Sequence, residues 1–375
     1  MRTILQIQIL LLIFALPFLA TGQNSSPLSV KMKTESLPNI ILHDEKPGLI
    51  QITNNTSESL KINVFYEIKD GEDELTLKEW NEEVRLSDGE TFEQQEPLSG
   101  KFGMYNLHYE IQIEGKSPVS GHIGYANMVR ADQHNDRNTI MMGLQGMKRV
   151  KNYEQAVKIA KAMGASVCRE SVPWNNVEPE KGDWKFEDFD KKYKILAENG
   201  IAIQSMLTYC TRWAAPEKYK NEGNANWGPW AAQMPVNIDD WRNYVRKVGE
   251  HYNGQAFYWE IWNEADWGYF KGTADDYIEL LKVAYEELKK INPENSVMTS
   301  GFASADPHGG NQGDADLQAR TLKEAAGYID YHTMHQHGSF ETFVNQVGGK
   351  LIPYRESIGF NKPLYFNESS ENSRL

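Results

Sequence analysis

Between about Pro38 and Arg130 apolar and polar residues alternate with period two. Leu60, Ile62, Val64, Tyr66 and Ile68 alternate with Lys61, Asn63, Phe65 and Glu67, and Tyr105, Leu107, Tyr109, Ile111 and Ile113 repeat the pattern. Such alternation predicts strands with one buried face. Turn signals at Asn54-Asn55, Asp70-Gly71, Asp88-Gly89 and Glu114-Gly115 separate the runs, predicting antiparallel hairpins and a small β-sandwich over residues 23–130. The polar stretch 131–137 (ADQHNDR) has no apolar periodicity and reads as a linker.

Beyond it the period becomes 3.6. Tyr153, Ala156, Val157, Ala160 and Met163 form one helical stripe, and Gly164 is placed to stop the helix. A short apolar strand, Ala165 to Cys168, follows. The stripe Trp241, Tyr244, Val245, Val248, Tyr252 likewise precedes a strand from Phe257 to Trp262, and Tyr277, Leu280, Leu281, Ala284, Leu288 precede Ser296 to Ser300. Asn199-Gly200 ends another helix before a strand from Ile201 to Leu207. Strand starts near residues 140, 165, 201, 256, 296, 328 and 363, each in a βα unit, predict an α/β fold with a parallel sheet. A (β/α)8 TIM barrel over residues 138–375 fits best. A doubly wound sheet would place a glycine-rich phosphate turn after its first strand, and MMGLQGMKR (Met141 to Arg149) is not one. Leu375 follows closely on the seventh strand. A closed barrel needs an eighth, so the barrel reads as truncated and the chain as a fragment of a longer reading frame.

At the other end, Arg2 precedes the apolar stretch Ile4 to Ala20, which closes on Ala20-Thr21-Gly22. This reads as a signal peptide over residues 1–22 and implies a secreted or periplasmic protein with no integral membrane segment after cleavage. Gln6, Gln8 and Pro17 argue against a spanning anchor. Export permits disulfides, yet only Cys168 and Cys210 are present; buried free thiols are expected, with a bridge as the alternative. Nothing resembles a cysteine zinc site. The net charge of −13 disfavours nucleic-acid binding, and a strongly anionic substrate fits it poorly too. Of the ten Trp, all but Trp80 lie beyond residue 150.

Barrel chemistry sits at the carboxyl ends of the strands. One expected strand runs into Asn263-Glu264 within AFYWEIWNEAD, where Trp259, Trp262 and Trp267 surround the carboxylate. An apolar, partly dry setting raises a carboxyl pKa and suits a general acid. A second strand, Lys362 to Phe366, ends in Asn367-Glu368. Two carboxylates facing one another across a barrel mouth, about 5 to 5.5 Å apart, are what retaining glycoside hydrolysis requires. Glu260 lies within its strand and reads as a buried structural carboxylate, paired with Arg169.

Three segments carry a resemblance over most of residues 140–370: WNNVEPEKGDWKFEDFD (Trp174 to Asp190), HYNGQAFYWEIWNEAD (His251 to Asp266) and KPLYFNES (Lys362 to Ser369). In this order and spacing they resemble clan A glycoside hydrolases, most closely the family 39-like barrels. The resemblance implies Glu264 as general acid/base, Glu368 as nucleophile and Asn263 as hydrogen-bonding partner of the sugar 2-hydroxyl. Arg169 matches an arginine that in such enzymes lies near the nucleophile and keeps it ionised. His335 matches a histidine of the pattern, whereas His337 stands where tyrosine is usual. Trp213, in RWAAP, is similar to a position at the sugar site.

The histidines His332, His335 and His337 also raise a metal reading, since His335 and His337 share a strand face. No adjacent carboxylate in sequence completes a ligand set, so contacts to substrate or nucleophile are expected and no metal. In the long connection Thr211 to Asp240, Trp213, Trp227 and Trp230 either stack on sugar rings or pack beneath the loop. Asn367-Glu368-Ser369 is formally a glycosylation sequon, and a glycan there would block Glu368. The expectation is a retaining β-glycosidase that acts on poly- or oligosaccharide by double displacement and needs no cofactor. The alternatives are a carbohydrate-binding protein on a glycosidase-like barrel and a structural surface protein that uses the sandwich for adhesion.

Overall fold

The computed structural model describes residues 26–98, 100–130, 142–145, 152–224, 226–310 and 314–370. The expected signal segment over 1–22 and the linker over 131–137 lie outside them. The chain divides into two compact units, one holding residues 26–130 and the other most of those from 142 onward. Among the described residues no helix is long and apolar enough to cross a membrane.

The first unit contains β1 (Leu28–Lys33), β2 (Ile40–Leu42), β3 (Leu49–Asn54), β4 (Leu60–Asp70), β5 (Thr76–Leu86), β6 (Thr91–Gln95), β7 (Gly103–Ile113) and β8 (Val119–Met128). They form a three-stranded sheet, β1-β3-β6, and a five-stranded sheet, β2-β8-β7-β4-β5. Strand β4 follows the expected alternation, burying Leu60, Ile62, Val64, Tyr66 and Ile68. Ile50 and Ile52 of the smaller sheet join these side chains in one apolar cluster. Two turn signals differ from expectation. Asp70-Gly71 and Glu114-Gly115 do join antiparallel neighbours. Asn54-Asn55 and Asp88-Gly89 instead carry the chain between sheets, because β3 pairs with β1 and β6 rather than with β4. A turn signal marks where the chain reverses, while the strand it returns to is set by which apolar face must be covered.

The second unit alternates strands and helices: β9 (Met142–Gln145), α1 (Tyr153–Ala162), β10 (Ala165–Pro173), α2 (Trp174–Val177), α3 (Glu187–Glu198), β11 (Ala202–Thr208), α4 (Ile238–His251), β12 (Ala256–Ile261), α5 (Ala274–Ile291), β13 (Ser296–Met298), α6 (Leu317–Glu324), β14 (His332–His337) and β15 (Leu364–Ser370). Helix starts are chemically marked: the Asn237 side chain accepts from the Asp239 amide, and Thr273 and Asp276 close a reciprocal cap on α5. Gly164 and Gly200 end α1 and α3 at φ 93° and 64°, a region that glycine enters without steric cost. The stripes of α4 and α5 are buried as their period predicts.

Strands β9 to β13 form one parallel sheet in sequence order, and β14 pairs with β15, also in parallel. Single parallel bridges, Met298 to Tyr331 and Phe302 to Met334, connect the two groups. The strand expected near residue 328 starts later, at His332, after a 3-10 turn over Ala326–Tyr328. Among the described residues, pairing of β9 with β15 does not occur. Cys168 and Cys210 are buried free thiols.

Candidate active site

The parallel order sets the carboxyl ends of β10, β11, β12, β14 and β15 side by side, and the side chains singled out from sequence converge there. Arg169 on β10 is the hub, at 3% exposure. Its Nε and Nη2 donate to the two oxygens of Glu260 at 2.6 and 2.8 Å. Nη1 donates to Glu368 at 3.0 Å and Nη2 to Asn263 Oδ1 at 2.8 Å. Glu260 is fully buried and also accepts from Gln204 Nε2 at 2.9 Å. The expected Arg169–Glu260 pair therefore exists, and it holds the guanidinium edge-on to Glu368.

Glu264 lies opposite. Its backbone is left-handed at φ 44°, as is that of Trp262 at φ 73°, so Asn263 sits between two residues in a sparsely populated conformation. Two backbone bonds maintain this kink: Trp262 N donates to Leu207 O at 2.9 Å and Glu264 N to Ser300 O at 2.6 Å. Such strain, of order 1–3 kcal/mol per residue, persists only where the surroundings enforce it. Of the three surrounding Trp, Trp259 and Trp262 belong to the core, whereas Trp267 is exposed. Burial raises the Glu264 pKa above the usual glutamate value, partly countered by Arg169 and His337.

His335 on β14 lies between the two carboxylates. Its Nδ1 is 2.6 Å from Glu264 Oε1 and 3.6 Å from Glu368 Oε2. One oxygen of each carboxylate and one His335 nitrogen all lie within 4.8 Å of one another. Burial, then the Arg169 charge, depress the His335 pKa to about 3, so the ring is neutral at ordinary pH. A β-bulge between Met334 and His335 brings His335 level with Glu368. His337 is more exposed, its Nε2 3.9 Å from Glu368 Oε1. His332 is elsewhere, buried against Arg355 at 2.8 Å. The carboxylates missing from the local sequence are thus supplied to His335 by other strands, giving the one metal-like group found among the described residues. Arg169 already places a positive charge against Glu368, which works against a dication there.

Two buried neutral imidazoles have a consequence for stability. His332 and His335 both have folded pKa values below the ordinary 6.5, His335 at about 3. Protonation therefore favours the unfolded chain, and the stability they contribute is complete above about pH 6.5 and falls as pH drops toward 3. The melting temperature is expected to fall between pH 7 and 4.5, and less steeply in His332→Gln.

Several contributors were not singled out from sequence. Gly301, at φ 58°, leaves no room for a Cβ, which would lie 2.3 Å from His335 Nε2 and 2.8 Å from Glu260 Oε1. Gly301→Ala is expected to lower the melting temperature by several degrees, measured by calorimetry, because both strain and overlap push on buried groups. Asp266 accepts the Ala303 and Ser304 amides at 2.9 and 2.8 Å, fixing the loop that supplies Ser300 O, and burial pushes its pKa up to about 6. Tyr209, just past β11, packs edge-on against Trp262, the chain neighbour of Asn263, at 5.5 Å between ring centres. Glycine and aspartate are common enough in loops that only the fold distinguishes these.

Among the expected Trp, Trp230 is buried and Trp227 is 44% exposed. Trp213 is partly buried: its Nε1 donates to Glu178 O at 2.9 Å, and its ring meets Trp174 edge-on. Asn367 is fully buried, which leaves no room for a glycan on the folded sequon.

No protein-family model matches this chain, and no curated protein does. Solved structures do resemble it. A family 39 glycoside hydrolase from the gut symbiont Bacteroides cellulosilyticus WH2 superposes with a TM-score of 0.60 at 16% identity, over 82% of this chain and 57% of that one. A glucosidase from Croceicoccus marinus (TM-score 0.39, 16% identity, 56% of this chain and 46% of that one) and xylanase 10B from Thermotoga petrophila RKU-1 (0.39, 13%, 59% and 66%) are more distant. The chain thus spans little more than half the length of the family 39 enzyme. The first of these likenesses shows an α/β fold of the glycoside-hydrolase kind.

Proposed function

We propose that this chain carries the catalytic apparatus of a secreted, retaining β-glycosidase of the clan A type, family 39-like. In this reading residues 23–130 form a β-sandwich domain, 131–137 a linker, and 138–375 most of a (β/α)8 barrel acting on poly- or oligosaccharide. The observation that carries it is the pair Glu264 and Glu368, on strand ends β12 and β15, with one oxygen of each within 4.8 Å. That spacing suits direct attack by a carboxylate better than insertion of a water between the two.

Their environments differ in the sense the chemistry needs. Glu264, pushed toward its protonated form by burial, gives its proton to the glycosidic oxygen as the bond from that oxygen to the anomeric carbon breaks. Glu368, beside the Arg169 guanidinium, forms the new bond to the anomeric carbon. Glu264, now ionised, takes a proton from water as that water attacks the same carbon and releases Glu368. Asn263, with Oδ1 fixed by Arg169, presents its amide to the sugar 2-hydroxyl, and neutral His335 orients Glu264.

The test is to incubate the full-length protein with a 2-deoxy-2-fluoro-β-glycoside bearing a dinitrophenyl leaving group, then identify the modified peptide by mass spectrometry. One sugar is expected on Glu368. Hydrolysis with inversion, or binding of oligosaccharide with neither labelling nor turnover, would overturn the reading.

A further inference from the structure

Beside the carboxylate pair, on the same rim of strand ends, lies an aromatic cluster. Tyr209, from the end of β11, meets Trp227 edge-on at 5.0 Å between ring centres and lies nearly parallel to Tyr269 at 6.0 Å. Trp227 and Tyr269 are 6.3 Å apart and steeply inclined. They are 44% and 36% exposed, unusual for rings of this size this close to a core.

Neither exposed ring hangs on a loose loop. Asn224 Oδ1 accepts the amides of Asn226 and Trp227 at 2.9 and 3.0 Å, and Asn224 N donates to Trp227 O at 2.9 Å. Arg212 Nη2 donates to Asn224 O at 2.7 Å. Gly223 and Gly228 close the loop on itself: a Cβ on Gly223 would stand 2.5 Å from the Gly228 Cα. On the other side, buried Trp262 donates through Nε1 to Tyr269 O at 2.8 Å. A platform fixed in this way gives up little conformational entropy when it binds. Packing alone does not require the chain to hold two large rings out toward water.

Continuity with the catalytic groups identifies the occupant. Tyr209 touches both exposed rings and meets Trp262 edge-on at 5.5 Å between ring centres, directly before Asn263, which Arg169 in turn fixes beside Glu368. We infer that Trp227, Tyr269 and Tyr209 form a binding subsite for a second, uncharged pyranose ring of a β-linked oligosaccharide, making the protein selective for chains over simple aryl glycosides. The apolar face of axial C–H bonds in an equatorially linked ring matches an aromatic surface, and the net charge of −13 is consistent with a neutral sugar. This rests on the glycosidase reading for the position of the first ring.

The experiment compares wild type, Trp227→Ala, Trp227→Phe and Tyr269→Ala as full-length proteins. Substrates are β-1,4-glucan, β-1,4-xylan and β-1,3-glucan hexasaccharides and the matching nitrophenyl β-monoglycosides. For the preferred sugar, the ratio of kcat/KM on hexasaccharide to that on monoglycoside is expected to fall about tenfold in the alanine variants, mainly through KM, and to recover in Trp227→Phe. An unchanged ratio would overturn the subsite. Calorimetric binding of the hexasaccharides, with and without Trp227→Ala, separates this from failure of the glycosidase reading. Binding that weakens about tenfold in a protein without turnover supports the subsite while rejecting the enzyme. Binding indifferent to Trp227, or absent for every hexasaccharide, rejects the subsite.

Discussion

Replacing Glu264 with alanine is expected to slow hydrolysis of a natural oligosaccharide by about 10³- to 10⁴-fold while leaving the protein folded. General acid catalysis contributes about 10²–10⁴ where the leaving group is a poor one. The carboxylate is partly exposed, and its hydrogen-bonding partner His335 stays neutral without it. With a dinitrophenyl glycoside the departing oxygen needs no proton, so the first step persists and the glycosyl-enzyme on Glu368 accumulates. Azide, which needs no general base, is then expected to release a β-glycosyl azide. The pH profile supplies an independent check. Burial raises the Glu264 pKa, so the acid form is present below that raised value and is lost as pH climbs through it. The alkaline limb of kcat/KM is expected in wild type and absent in Glu264→Ala. A variant that keeps its alkaline limb would assign the proton donor to another residue.

How much of this was legible in sequence follows from which forces act locally. The period-two run of β4 and the stripes of α4 and α5 were readable because burying one face dictates the spacing of apolar residues. The placement of Glu264 and Glu368 at the ends of β12 and β15 was readable because the apolar strand runs that precede them are. The partnering of β3 was not, because its turn looks the same whichever sheet the chain returns to. Nor was the fate of each Trp: Trp230 fills the core and Trp227 is 44% exposed although only two residues separate them, because a large ring satisfies either environment. The left-handed backbone at Trp262 and Glu264 has no sequence signal, since it is imposed by Leu207 and Ser300 from neighbouring segments. His335 reaches Glu264 and Glu368 only through contacts between strands far apart in the chain.

The largest expected loss of stability comes from Glu260, which makes no contact with substrate in the proposed mechanism. Glu260→Gln leaves Arg169 buried with its bidentate partner neutralised, and removing one member of a buried ion pair costs about 3–5 kcal/mol. The midpoint of denaturant unfolding is expected to fall accordingly. Glu368 cannot take over the role, because it meets Arg169 through a single nitrogen and is itself partly exposed. The double variant Arg169→Met/Glu260→Leu distinguishes packing from positioning. Replacing both charges with apolar groups of similar volume is often neutral or stabilising, so the midpoint is expected to return toward wild type. Turnover is not expected to return with it. Without the guanidinium, Glu368 loses its positive neighbour and the Asn263 carbonyl loses the donor that fixes its rotamer. A double variant that regains both stability and turnover would show that the pair serves the core alone. One that regains stability alone establishes that the buried charge is retained for the chemistry above it.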